Sequence, residues 1–358
     1  MSWFLAFAGF CFLIVAHEAG HFAAAKAVGM RVERFSLFFP PLLVRKKWGE
    51  TEYAIGLIPA GGYVKISGMS PAEDLPEEVR DRAYHAQPVW KRVVVIAAGP
   101  LVNLVLAFVL LLVYFGVYGP LDTSHKISVI EKGYAAQGVL HPDDQLVSVD
   151  GRTGTPETLG KIVASHKCRG DAKVKGCSAT RPATVVVNRK GKLQTFKLVP
   201  KYDPDAKKTR LGFGYGSYNR HVPFSQAISI SANRFWFVTT QTLSLPAKLI
   251  DPQQRKQLSG VVGTYETTRK AILAEPRDAI AILALISLSL AIVNLFPFLP
   301  LDGGHIFWAI VEKVRSRPVS LRTMERASVV GFMLVMLIFV IGLSNDIGRL
   351  TGDGFRVR

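Results

Sequence analysis

Residues 3–25 read WFLAFAGFCFLIVAHEAGHFAAA, an apolar run about as long as a membrane crossing whose only titratable interior groups besides Cys11 are His17, Glu18 and His21. On a helix, residues four apart share a face, so the two imidazoles of His17-Glu18-Ala19-Gly20-His21 can meet one cation with Glu18 beside them. Neutral imidazole nitrogen suits Zn2+, and the carboxylate of the H-E-x-x-H pattern is placed to act as general base on a water. Polar groups at membrane depth are costly unless they line a watery or metal-filled site. The bland alternatives are a proton relay or a polar cluster that packs helices together.

Further runs extend the membrane reading. Residues 93–118 and 279–301 carry no charged side chain, and 327–345 is another such stretch. With the first run they predict a polytopic α-helical membrane protein with four transmembrane helices. No Lys or Arg precedes residue 26 and the first run leads into a polar triplet, so a cleaved signal peptide is not expected. The loop between the first two runs holds Lys26, Arg31, Arg34, Arg45, Lys46, Lys47, Lys65, Arg80, Arg82, Lys91 and Arg92; the loop between the last two holds Lys313, Arg315, Arg317, Arg322 and Arg326. Basic residues near membrane ends stay cytoplasmic, so both termini and residues 119–278 are expected outside. The net charge of +17 sits mostly on membrane-flanking loops and the outer domain, without a nucleic-acid motif, so no nucleic-acid partner is expected.

The expected organisation follows. Residues 1–118 comprise the first two spans and a cytoplasmic loop in which 42–47 and 51–58 form strands around the turn Trp48-Gly49-Glu50, with a further strand at 63–66 after Gly61-Gly62. Residues 70–87 suit a surface helix with loops. Residues 119–202 read as a small β-rich domain, with strands at 127–130, 145–149, 184–187 and 194–199 and a short helix at 158–165. Residues 203–278 read as a polar linker followed by an interfacial amphipathic helix at 224–250, and 279–358 as the last two spans. Cys11 lies in the first span as a packing residue. Cys168 and Cys177 lie in the outer domain, where a disulfide persists; two free thiols are the alternative.

A catalytic zinc needs three protein ligands and an open position. Asp302 directly follows the run 279–301, in Asn294-Leu295-Phe296-Pro297-Phe298-Leu299-Pro300-Leu301-Asp302-Gly303-Gly304, where the prolines unwind the helix end and Asp302 can turn inward. His305 is the rival ligand. Asn294, deeper in the helix, can hold a substrate carbonyl or serve as a helix–helix hydrogen bond.

H-E-x-x-H in the first membrane helix with a distant N-x-x-P…L-D-G in a later one resembles the site-2 protease family of intramembrane metalloproteases. Gly49-Glu50-Thr51-Glu52-Tyr53, Pro59-Ala60-Gly61-Gly62-Tyr63-Val64, Ala98-Gly99-Pro100-Leu101-Val102-Asn103 and Leu258-Ser259-Gly260-Val261-Val262-Gly263 are similar to segments of the bacterial regulator-of-sigma-E proteases, and the resemblance covers nearly the whole chain. It implies that His17, His21 and Asp302 bind zinc, that Glu18 is the base, and that a membrane-associated β-hairpin spans residues 42–66. Asn294, Pro297, Gly61, Gly62 and Tyr63 are then substrate-contacting candidates, an edge strand within 42–66 pairing with an unwound substrate; an ordinary cytoplasmic hairpin is the alternative. Residues 140–151 resemble a PDZ ligand-loop signature, with Asp143 where Gly is usual; Asp tolerates left-handed backbone. One PDZ-like unit fits, as in single-PDZ members. Val261 and Pro300 depart from the commonest pattern without removing a ligand.

The expected function is regulated intramembrane proteolysis in a bacterial inner membrane, on a single-pass protein such as an anti-sigma factor already trimmed outside, with the bilayer as the second partner. A membrane metal transporter would want a continuous polar path, of which the other spans offer little beyond Asn103. An idle PDZ scaffold would not need the H-E-x-x-H residues.

Overall fold

The leading helix α1 (Ser2–Ala27) keeps the H-E-x-x-H segment in unbroken helical register. A computed structural model of the chain describes residues 2–69, 73–168, 177–204, 206–245, 277–317 and 319–351, with isolated positions at 247, 251, 255, 263, 269, 273 and 275. The chain divides into two units, Met1–Val117 with Pro223–Arg358, and Tyr118–Val222.

In the first unit α1 is followed by two long strands, β1 (Val32–Trp48) and β2 (Thr51–Ile66), turning at Gly49, which adopts φ +62°. Gly reaches that left-handed backbone without steric cost. The strands expected at 42–47, 51–58 and 63–66 are thus parts of longer elements. Their register couples Arg34–Leu37 both to Glu52–Ile55 and to Gly62–Lys65, so this stretch of β1 lies between two passes of β2. Phe22 of α1 packs edge-on against Phe35 and Tyr53, holding the sheet to the helix. The tip stays open, with Trp48 80% exposed and Leu43 and Val44 exposed beside it. Between residues 73 and 87 only a one-turn helix α2 (Glu77–Arg80) and a 3-10 turn at 84–86 form.

Helix α3 (Val89–Val117) organises the membrane unit. One face buries Arg92, Val95, Ile96, Gly99, Asn103, Ala107 and Leu111, while Leu101, Val105, Val109 and Val113 on the other are exposed. Small and polar groups inward with valines outward suit a helix whose outer solvent is lipid. After the second unit, the segment expected as an amphipathic helix forms α5 (Phe224–Leu243), which packs Phe235 and Val238 onto a cluster of Ala107, Leu288 and Ile292. Residues 248–250 of its expected extent lie outside the described residues, as does the Leu258–Val262 segment.

Helix α6 (Asp278–Asn294) ends well before residue 301, because Pro297 and Pro300 cannot continue it; a non-helical stretch leads to α7 (Asp302–Arg315) and then α8 (Leu321–Thr351). Three helices, Phe7–Ala27, Val89–Val117 and Arg322–Thr351, are long and apolar enough to cross a membrane, and α6 is a shorter apolar helix of 17 residues. The chain is a multi-pass membrane protein with a β-rich part; a fourth full-length span is not among these helices.

The second unit is a five-stranded sheet in the order β6-β5-β4-β3-β9, from β3 (Leu121–Ile130), β4 (Gln145–Val149), β5 (Ala183–Arg189), β6 (Lys192–Leu198) and β9 (Phe213–Asn219), with a separate ribbon of β7 (Lys201–Asp203) and β8 (Lys208–Arg210). Helix α4 (Pro156–Ala164), capped by Thr155, drives Leu159 and Val163 into a core with Ile127, Leu146, Val149 and Val185. Each such apolar side chain contributes roughly 1.5–3 kcal/mol on burial. The expected linker from 203 is corrected: β9 pairs with β3 from Leu121↔Asn219 to Ile130↔Phe213 and completes the sheet. Asp143 takes φ +71°, the left-handed conformation expected of it. Cys168 and Cys177 are joined, with Cα atoms 6.0 Å apart, within the normal disulfide range.

Candidate metal centre and active site

The helical register of α1 brings His17 and His21 to one face, where both are buried. Their Nε2 atoms lie 3.2 Å apart. Asp302, at the first turn of α7, places Oδ2 3.2 Å from His17 Nε2 and 3.3 Å from His21 Nε2. These are the residues expected from the sequence, brought together across 285 positions (302 − 17).

The triangle fits a metal. His21 Nδ1 donates to Val95 O at 2.9 Å, which leaves Nε2 of the neutral ring as a lone pair. Asp302 Oδ2 is buried without a hydrogen-bond donor of its own. Three electron-pair donors facing one another repel unless a cation lies among them. With zinc bonds of about 2.0–2.1 Å, tetrahedral geometry puts neighbouring ligand atoms about 3.3 Å apart, which is the spacing found. Two imidazoles and a carboxylate are also a donor set that zinc enzymes use. Among the described residues this is the one group of three metal-capable side chains.

Helix α3 supplies the support. Pro100 removes the helical donor for Ile96 O and loosens that turn, and the neighbouring carbonyl of Val95 accepts from His21. Asn103, fully buried, sets its amide 3.3 Å from His17 Nδ1. Its Oδ1 is buried without a partner; a half-turn of the amide lets that oxygen accept from His17 Nδ1–H and frees Nε2 for a metal. Ser287 on α6 donates to Asn103 O at 2.9 Å, tying the two helices beside the site. Gly99 and Gly20 allow α1 and α3 to approach: a β-carbon on Gly20 would stand 2.7 Å from Ala98 O. Val95 acts through a backbone carbonyl, which has no signature in the sequence, and Gly99 through the absence of a side chain.

Glu18 lies outside the triangle. A β-carbon on Gly62 would stand 3.0 Å from Glu18 Cγ, and the Val64 backbone amide faces the carboxylate, so the final pass of β2 runs directly along this residue. Gly61 and Gly62 share that pass with Tyr63, whose hydroxyl accepts from Arg34 and whose ring stacks on Phe39. Asn294 Nδ2 approaches His17 Nε2 to 3.5 Å, from the last turn of α6, and Pro297 lies in the non-helical stretch that follows. Gly303 and Gly304 admit that stretch: β-carbons there would meet Leu295 O at 2.3 Å and Leu299 N at 2.5 Å. His305, the rival ligand, makes no hydrogen bond or ion pair among the described residues and is not part of the triangle.

Comparison with known proteins identifies the family. The sequence matches the profile of peptidase family M50 over residues 5–338. The chain belongs to peptidase family M50. This is the site-2 protease family that its motifs resemble. A Campylobacter jejuni protein named "Putative zinc metalloprotease" is 30% identical over 355 residues, covering 96% of this chain and 92% of its own. A Brucella suis protein of the same designation is 30% identical over 359 residues (94% and 92%), and one from Nostoc 28% over 362 residues (98% and 97%). The M50 match includes α1 with H-E-x-x-H, the β1–β2 sheet, α3, and Asp302 on α7.

Proposed function

We propose that this chain is an intramembrane zinc metalloprotease in which His17, His21 and Asp302 bind the metal and Glu18 is the general base. The convergence of two Nε2 atoms and one carboxylate oxygen at 3.2–3.3 Å carries the reading. Zinc, when bound, polarises the scissile carbonyl and lowers the pKa of the attacking water. Glu18 removes the proton from that water as the new C–O bond forms, then delivers it to the amide nitrogen as the C–N bond breaks. The Val64 amide faces the Glu18 carboxylate and Gly62 passes close to its Cγ, so β2 borders the base on one side. Asn294 is placed beside the ligands to hold a substrate carbonyl.

The substrate is a peptide bond within the membrane segment of a single-pass protein, of the anti-sigma-factor kind trimmed first on the outside. Such a segment must unwind before cleavage, and the Gly61–Tyr63 edge offers backbone groups with which an extended strand can pair. Helix α6 serves as a fourth span that stops short, so that Asn294 and Asp302 lie at membrane depth, where non-helical backbone is tolerated when it is buried in protein. The Lys and Arg residues of 26–92 and 313–326 favour the cytoplasmic side of a bacterial inner membrane for these loops, with both termini outside. The sheet unit is a single PDZ-like domain, external and controlling access.

Metal analysis paired with cleavage of a transmembrane test substrate decides the matter. The purified wild type holds zinc and cleaves; Glu18→Gln keeps zinc and loses about 10²- to 10⁴-fold in rate. Near-normal cleavage by Glu18→Gln would falsify the mechanism.

A further inference from the structure

Far along α7 from the metal centre, Arg92 and Glu312 form a two-pronged ion pair. Arg92 Nη1 donates to Glu312 Oε2 at 2.9 Å and Nη2 to Oε1 at 2.8 Å. Arg92 is only 8% exposed and lies over the Tyr84 ring at 5.9 Å. The partners are 220 residues apart in sequence, on α3 and α7. Between them Ile306 of α7 packs against the cluster that contains Val95 and Ile96 of α3.

We propose that this pair positions the third zinc ligand: it fixes the register of α7 along α3 so that Asp302 meets His17 and His21. The inference rests on the reading of Asp302 as a ligand. On α3, Arg92 precedes Asn103, the neighbour of His17, by 11 residues, or about 16 Å of helix. On α7, Glu312 follows Asp302, the other neighbour of His17, by 10 residues, or about 15 Å. The two helices are therefore pinned at matching distances, by the ion pair at one end and by His17 at the other. Arg92, Val95, Gly99 and Asn103 occupy one stripe of α3, at steps of 3, 4 and 4 residues. That single stripe contacts α7 through Arg92, His21 through Val95 O, the His21 ring through Gly99 and His17 through Asn103.

An ion pair is a poor choice for strength alone: desolvating Arg92 offsets much of its attraction to Glu312, whose side chain is 30% exposed and partly screened by solvent. What two parallel N–H···O bonds add is a fixed rotation and translation of one helix against the other. Apolar contacts slide; this pair does not.

The test uses purified full-length protein and reads Zn2+ affinity by chelator competition, together with the d–d absorption of the Co2+-loaded site. Arg92→Met/Glu312→Met replaces the pair by an apolar one that keeps the fold. This variant should bind zinc about 10- to 100-fold more weakly and show an altered Co2+ spectrum. The charge swap Arg92→Glu/Glu312→Arg, which restores the pair in reverse, lies closer to wild type in both readouts. Wild-type affinity and spectrum in the double-Met variant, or a swap no better than it, overturns the proposal. Asp302→Ala separates the two readings: if it loses zinc while the double-Met variant does not, the ligand assignment stands and the positioning role falls. If Asp302→Ala itself binds normally, the ligand assignment fails first.

Discussion

Gly99 of α3 faces His21 so closely that a β-carbon on it would stand 2.2 Å from His21 Nε2. Contact at that distance cannot be relieved by a small side-chain shift, because His21 Nδ1 is anchored on Val95 O of the same helix. Gly99→Ala should therefore turn the imidazole away from His17 and Asp302. Zinc affinity should fall at least tenfold, on the order expected for a disturbed ligand shell, and cleavage should drop with it. Gly116, on the same helix, has open space where its β-carbon would go, so Gly116→Ala should bind zinc and cleave normally. Equal zinc content in the two variants would mean that the approach of α3 does not set His21.

Ligand choice between Asp302 and His305 gives the second prediction. Imidazole is the more common zinc ligand, yet Asp302 Oδ2 touches both Nε2 atoms while His305, one turn further along α7, has no polar partner among the described residues. Asp302→Ala should lose most bound zinc and all measurable cleavage. His305→Ala should retain metal and a substantial rate. The opposite ranking in metal analysis would transfer the third position to His305.

Much of this site was legible because its signals are local. The i, i+4 spacing of His17 and His21 needs only helical geometry, and Asp302 is marked by the prolines that break the helix before it. The supports were not legible. Val95 acts through a backbone carbonyl, and Arg92 finds Glu312 only after the membrane helices pack. The prolines also show why an apolar run of residues is not a helix of that length: 279–301 reads as one span, but Pro297 and Pro300 stop α6 at Asn294. In the sheet unit, Phe213 and Tyr215 alternate with Gly214 and Gly216, a period-2 signal for β9 hidden by glycine's poor strand propensity.

Acid should loosen the sheet unit in a defined window. Asp144 is 2% exposed and accepts from Arg189 Nε at 2.7 Å and Nη2 at 2.6 Å, and from the His141 backbone amide at 2.8 Å. The Arg189 guanidinium holds the Asp144 carboxyl below its ordinary value of 3.8. A carboxylate with a lowered folded pKa adds stability that is complete above the unfolded value and is lost as pH falls through the folded one. The wild-type unit should thus resist pepsin in detergent at about pH 5 and become cleavable below about pH 3. Arg189→Met leaves the buried carboxylate with the His141 amide alone and no counter-charge, at a cost of about 1–3 kcal/mol, and should be cleaved faster at both. Identical cleavage of variant and wild type at about pH 5 would show that the pair does not hold β4 to β5.

The last prediction concerns the sheet unit as a barrier to large substrates. Its chain enters and leaves at neighbouring points: Arg220 N–H donates to Pro120 O at 3.0 Å, and Leu121 pairs with Asn219. Removing residues 124–200 would cut this sheet, leaving β9 and the start of β3 as loose edges, and its outcome could reflect misfolding. Excising 120–220 and joining the ends through a short Gly/Ser linker removes the whole sheet and spans only the gap that the Pro120–Arg220 contact already closes. The His17, His21 and Asp302 centre lies wholly in the other unit, so the excised enzyme should keep zinc and cut a trimmed transmembrane substrate. If the unit excludes untrimmed substrates, the excised enzyme should also cut one that still carries a folded outer domain, which the intact enzyme leaves alone. Zinc retention with unchanged selectivity would remove the barrier role and leave the sheet unit some other task, such as peptide binding along an edge.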